Sequence, residues 1–126
     1  MRLLLDTHIV IWALGNRRRL PREAVRLIDR ADAVHVSAVS LWEMAIKSAA
    51  SKLSEIDMTA VDDGLAAANA IQLPVTWEHA RRYLDIADGH PDPFDRMLLA
   101  QAVVEPLHFL TADEALAQYT DLVIAV

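Results

Sequence analysis

A chain of 126 residues, 54% apolar and 24% charged, has the length of one domain and enough apolar content to bury a core, which excludes an intrinsically disordered tail. It has no cysteine, so disulfides and thiolate metal sites are excluded as well. The net charge of -6 weighs against a simple nucleic-acid binder, but residues 1–52 carry nine basic residues against five acids and residues 53–126 carry three against thirteen, so either a basic face lies beside an acidic one or the arginines are solvated helix faces.

Arg2-Leu3-Leu4-Leu5 reads as a buried parallel strand that ends abruptly in Asp6. The same start resembles a secretory leader, but Asp6 and His8 interrupt its apolar run and Arg17-Arg18-Arg19 stands where a small-residue cleavage site belongs. No stretch reaches the roughly 18 uninterrupted apolar residues of a membrane span, so a cytoplasmic protein is expected. Residues 8–14 form a short apolar helix stopped by Gly15-Asn16, and Pro21 opens a second helix through Val25, Leu27 and Ile28. Val34-His35-Val36 is β-branched and short, a second strand. Ser37 to Lys52 reads as a third helix whose first half is apolar nearly all round and therefore buried.

Residues 59–71 read as a fourth, Ala-rich helix, followed by an extended Pro74-Val75 and a fifth helix capped by Thr76 and running to Ala87. Asp88 to Pro93 is dense in turn residues, and Pro93 at the first position starts a sixth helix through Val104. Leu107 to Leu110 is a strand, residues 112–117 a short helix, and Leu122 to Val126 a last strand. Such alternation predicts an α/β fold with a central parallel sheet and helices on both faces. Trp12, Trp42 and Trp77 fall in apolar helical surroundings and are expected in core or interface packing.

Four carboxylates stand out. Asp6 and Asp113 follow predicted strands, and in open α/β sheets ligands sit outside the carboxyl ends of strands. Glu43 and Asp95 lie early in apolar helices. Each has a structural explanation: Ser40 to Glu43 and Thr111 to Glu114 fit capping boxes, Asp92 to Asp95 is a variant with an Asp cap, and Asp6 can cap the helix that follows it. As a group they are harder to explain, because four acids converging on one crevice repel unless a cation compensates them. Oxygen ligands without cysteine suit Mg²⁺ or Mn²⁺, and such an ion assists in-line phosphodiester hydrolysis. His8 and His90 lie near the crevice, where structural donation is the commoner role. The Thr7 and Thr111 hydroxyls are candidate caps that can also orient a water or a phosphate.

Taken in order, Leu4-Leu5-Asp6-Thr7-His8, Ser37 to Lys47 around Trp42-Glu43, His90 to Ala102 around Phe94-Asp95-Arg96, and Leu110 to Asp113 make the chain similar to the PIN-domain family, and within it to VapC-type toxins of bacterial toxin–antitoxin pairs. The resemblance spans essentially the whole chain. It implies a three-layer α/β/α fold in one domain over residues 1–126, and a metal-dependent endoribonuclease whose catalytic and metal-binding acids correspond to Asp6, Glu43, Asp95 and Asp113, with Mg²⁺ or Mn²⁺ as cofactor. It further implies transfer or ribosomal RNA as substrate class, a homodimer, and a VapB-type antitoxin as partner. One departure is Ser51-Lys52-Leu53, where relatives commonly place a glycine before Lys-Leu. Candidate RNA contacts are Arg17, Arg18, Arg19, Lys47 and Arg96, with Arg22 and Arg26 on the neighbouring helix; the basic face is alternatively a docking site for the antitoxin. Other readings are a nuclease of RNA maturation, a non-catalytic PIN-like RNA-binding module, and a receiver-type phosphoacceptor domain. The receiver needs a late lysine, but Lys47 and Lys52 are the only two here.

Overall fold

In the computed structural model, which describes residues 1–50, 57–86 and 92–126, the fold is built around its first strand, β1 (Arg2–Leu5). Leu3, Leu4 and Leu5 are almost completely buried because β1 is bonded on both edges, to β2 (Ala33–Ser37) and to β4 (His108–Thr111). β3 (Ile71–Leu73) and β5 (Val123–Ala125) complete a five-stranded, all-parallel sheet in the order β3-β2-β1-β4-β5. A parallel sheet needs both faces covered, and alternate side chains serve the two faces. Leu4 and Phe109 face one core with Leu98, Leu99 and Ala102; Leu3, Leu5 and Leu110 face the other with Ile9, Val10 and Met44. The fold is therefore three-layered, as the alternation of elements predicts.

The helices are α1 (Thr7–Gly15), α2 (Arg22–Arg30), α3 (Ala38–Ala50), α4 (Met58–Ala67), α5 (Trp77–Arg82) and α6 (Pro93–Val104). None is long and apolar enough to cross a membrane among the described residues. Several boundaries differ from the sequence reading. Ser37 ends β2 instead of beginning the third helix. The fifth helix is shorter than expected and passes into a 3-10 turn, Tyr83–Asp85, while the short helix expected at 112–117 is a 3-10 turn, Glu114–Gln118. The expected helix ends at Lys52 and Ala87, the Ser51-Lys52-Leu53 departure, and the Asp88–Pro91 part of the predicted loop with His90 lie outside the described residues. Only one side of α3 is buried: Val39 and Met44 face inward, whereas Trp42 is 61% exposed and Trp77, expected in packing, is 81% exposed.

The largest correction concerns residues 68–73. The fourth helix stops at Ala67 instead of Ile71, and Ile71–Leu73 is an edge strand. Asn69 adopts φ 53°, with its N–H donating to Ala66 O and the Ala70 N–H to Leu65 O. That pair of bonds closes a left-handed helix end, which a polar Asn tolerates better than most non-glycine residues. The Ala-rich pattern of residues 66–70 continues to read as helix, so the stop rests on one residue's backbone. Asn69→Val is expected to lower stability by about 1–2 kcal/mol and Asn69→Gly to leave it close to wild type; denaturant unfolding of both variants measures this.

Candidate active site

The strand order turns back between β1 and β4, and the crevice at such a switch point is where an open α/β sheet binds ligands. Asp6 leaves β1 at this point. Its N–H continues the ladder to Leu110 O at 2.9 Å, and its carboxylate caps α1. Oδ1 accepts from the Thr7 N–H at 2.7 Å, and Oδ2 accepts from the Thr111 hydroxyl at 2.6 Å. Asp6 is 5% exposed. Burial pushes its pKa up, opposed by the Thr111 and Thr7 hydrogen bonds. Thr111 Oγ1 also accepts from the Asp113 N–H at 3.0 Å, so one hydroxyl positions both strand-end acids. Asp113 itself, exposed, caps the 3-10 turn after β4 through the Ala115 N–H.

Glu43 arrives from the neighbouring strand. α3 is held at its start by Ser37, whose Oγ accepts from the Val39 N–H and donates to the buried Gln101 side chain of α6. The expected Ser40–Glu43 capping box does not form, because the helix begins before it. Ser40 instead lies one turn ahead of Glu43 on the same side of α3, and its Oγ accepts from the Thr7 hydroxyl at 2.9 Å. The Thr7 and Thr111 hydroxyls are thus committed to protein partners. Nothing in the sequence besides the three-residue spacing of Ser40 and Glu43 signals this second tie.

α6 contributes two acids. Asp92 accepts from the Phe94 and Asp95 N–H groups and, with Pro93 following, starts the helix as expected, which sets Asp95 in its first turn. Asp6, Glu43, Asp92, Asp95 and Asp113 line a single cavity of about 450 Å³ together with His8, Trp12, Lys47 and Ala112. The four acids singled out in the sequence therefore come together, with Asp92 as a fifth that its capping role concealed. The Lys47 ammonium meets Glu43 Oε2 at 2.7 Å, and this hydrogen bond holds the lysine pKa up.

The basic candidates separate. Arg96 turns away from the cavity, donating to the Tyr83 and Ile86 carbonyls and lying over the Tyr83 ring. Arg26 pairs with Glu23 on α2. Arg17, Arg18 and Arg19 form a 3-10 turn after α1; Arg19 lies over the Trp12 ring, whereas Arg17 borders a different groove beside Ile28 and Asp29.

Among the described residues no three acid or histidine side chains form a ready-made ligand group for an ion. The donor set still fits a hard cation. It offers carboxylate oxygens, of which Glu43 Oε1 is buried with no hydrogen-bond partner among the described residues, an expensive state for a charged group. Burial, then Asp6, Asp92, Glu43 and Asp113, push Asp95 up to about 7. One lysine does not balance five acids.

A family model described as the PIN domain matches residues 3–122. Ribonuclease VapC22 of Mycobacterium tuberculosis is 26% identical, the match covering 93% of this chain and 91% of that one. In solved structures, VapBC2 from Rickettsia felis bound to a promoter DNA fragment contains a chain that superposes with a TM-score of 0.74 at 16% identity, covering 98% of this chain and 96% of that one. DNA-bound VapBC from Salmonella typhimurium gives 0.67 at 17% identity, covering 100% and 97%. These structural likenesses confirm the three-layer fold.

Two expectations follow from the site. Thr111→Val removes the donor to Asp6 and the acceptor of the Asp113 N–H, and is expected to lower stability by about 1.5–3 kcal/mol in denaturant unfolding at neutral pH. In chelator, Asp95 of the folded chain retains a proton that the unfolded chain has already lost between about pH 4 and 7, so this group's contribution to stability falls as pH rises through that window. Asp95→Asn is therefore expected to raise the melting temperature most at pH 8, by less at pH 5, and to approach wild type only below about pH 4. Equal melting temperatures at pH 8 would show that neither burial nor the neighbouring acids disfavour ionised Asp95.

Proposed function

The chain belongs to the PIN-domain family, and from that premise we propose that it is a Mg²⁺- or Mn²⁺-dependent endoribonuclease, the toxin of a toxin–antitoxin pair. The observation that carries this reading is the convergence of five carboxylates on the cavity at the β1/β4 switch point, with a buried Glu43 oxygen that lacks a partner among the described residues. Such a cavity suits a divalent cation and a phosphodiester. Similarity to a ribonuclease supports RNA as the substrate, and similarity to chains from toxin–antitoxin complexes supports a VapB-type antitoxin as partner. A homodimer accords with the exposed apolar side chains of Trp42, Trp77 and Leu84.

Asp6, Glu43, Asp95 and Asp113 are the residues that would hold the ion. Bound there, Mg²⁺ or Mn²⁺ supplies Lewis acidity toward a phosphoryl oxygen and makes water a better nucleophile. The chain's own groups prepare for it. Thr7 and Thr111 fix the Asp6 carboxylate in one orientation while each oxygen keeps acceptor capacity toward the cavity. Lys47 holds Glu43 Oε2 and offers the cavity its one ammonium group among the described residues, a point charge suited to a phosphate. Asp95 keeps a proton near neutrality in the ion-free protein, which limits the repulsion among the acids.

Asp6→Asn and Asp95→Asn are expected to keep the fold and lose RNA cleavage by more than the roughly 10–100-fold that loss of an outer-shell partner costs a metal site, and chelator is expected to abolish cleavage by wild type. Cleavage of labelled RNA with added Mg²⁺ or Mn²⁺, alongside circular dichroism, tests both; undiminished cleavage by either variant rules out this site.

A further inference from the structure

The acid cavity has an aromatic wall that metal-assisted hydrolysis does not require. His8 and Trp12 line it beside Asp6 and Asp113, and both project from α1, the helix that Asp6 caps. Four residues apart, they stand on one face of α1, about 6 Å along its axis. Their ring centroids are 6.0 Å apart with a 51° tilt. His8 is exposed. Trp12 is half-buried, packed against the core that contains Ile9 and Val10, so its plane is held by the body of the protein. The Arg19 guanidinium sits 5.6 Å from the Trp12 ring centre.

The geometry points to a stacking subsite for one unpaired nucleobase of the RNA, formed by His8 and Trp12, with Arg19 contacting a phosphate next to that base. This rests on the ribonuclease reading and adds to it a place where the substrate is gripped. Charge makes such a grip necessary. The cavity holds five acids against Lys47, so a polyanion gains little affinity from its walls. Arg96 is bonded to two carbonyls and Arg17 faces another groove, whereas Arg19 lies over the Trp12 ring of the cavity's aromatic wall. Unpaired bases stack on aromatic rings and on guanidinium planes, and every base has a face to offer, so the subsite holds the strand without demanding a sequence. Because His8 and Trp12 line the same cavity as Asp6 and Asp113, a base on this platform holds the strand beside the acids.

The test is affinity for a labelled single-stranded RNA, read as anisotropy in chelator at low salt and as KM with Mg²⁺ or Mn²⁺ present. Trp12→Ala is expected to weaken binding about 5- to 150-fold, the range of one base–aromatic stack. Trp12→Phe should recover most of that loss, and His8→Ala should fall between the two. Arg19→Ala should lower the salt slope by about one charge. An abasic ribose walked along the RNA is the readout that a purely packing role for Trp12 would not move. At one position it should cost wild type at least the factor that Trp12→Ala costs, and cost that variant only the smaller share that His8 still carries. If Trp12→Ala does not fold, the abasic walk on wild type and on His8→Ala decides the matter. A flat abasic walk on a wild type that binds and cuts RNA overturns the subsite and leaves the ribonuclease reading standing. A wild type that neither binds nor cuts RNA overturns both. Variants with normal RNA affinity but weakened inhibition by a protein antitoxin would assign the rings to that interface and overturn the subsite.

Discussion

The hydrogen bond from Thr111 to Asp6 is the constraint on which the rest of the site depends. It joins the ends of β1 and β4 where the sheet turns back, and it holds a buried carboxylate that would otherwise be costly. With the Thr7 N–H on the other oxygen, Asp6 is at once a strand end, a helix cap and an oriented acid. Thr111 also anchors the Asp113 N–H, so the chain leaving β4 turns past the same cavity. The Thr7 hydroxyl carries the connection to Ser40 and hence to the helix that bears Glu43.

Away from this edge β1 and β4 bury an apolar centre, with Leu3, Leu4, Phe109 and Leu110 completely buried. The acids therefore gather at the carboxyl ends of the strands, where helices begin and their N–H groups favour negative charge. Asp6, Asp92 and Asp113 are all caps, and Asp95 is in the first turn of α6. Capping brings Asp6, Asp92 and Asp113 to the rim and sets Asp95 beside them, Glu43 arrives on α3 without capping, and their mutual proximity makes the ionised state of the group costly. Asp95, half-buried and acted on by all four of the others, shows that cost most visibly. A cation site at this rim would draw on several of the same carboxylates that cap helices, so neither role argues against the other.

The interior polar groups show how the opposite face steadies this edge. Gln101, fully buried on α6, accepts from Ser37 and donates to Pro74 O, while the buried His79 bonds Glu105 and the Thr76 N–H. The Ser37–Gln101 link ties the point where β2 ends and α3 begins to α6. Such links are invisible as a pattern, since Ser37, His79 and Gln101 are far apart in the chain.

The sequence by itself determined the parallel α/β class, β1, the helix starts at Asp6, Thr76 and Asp92, and the four acids, because apolar periodicity and capping chemistry are local. The resemblance to the PIN-domain family rested on those same local motifs. Tertiary structure alone decided that the helix after Asp57 ends at a left-handed Asn69 to release an edge strand, that Ser40 bonds Thr7 instead of capping with Glu43, and that Arg96 serves the Tyr83 turn. It also moved Trp12 from anonymous packing to the rim of the acid cavity. Apart from Asn69, whose helix end is closed by Leu65 and Ala66 of its own helix, the partner lies on a different element, and an element's own residues carry no record of which neighbour the sheet order will bring against it.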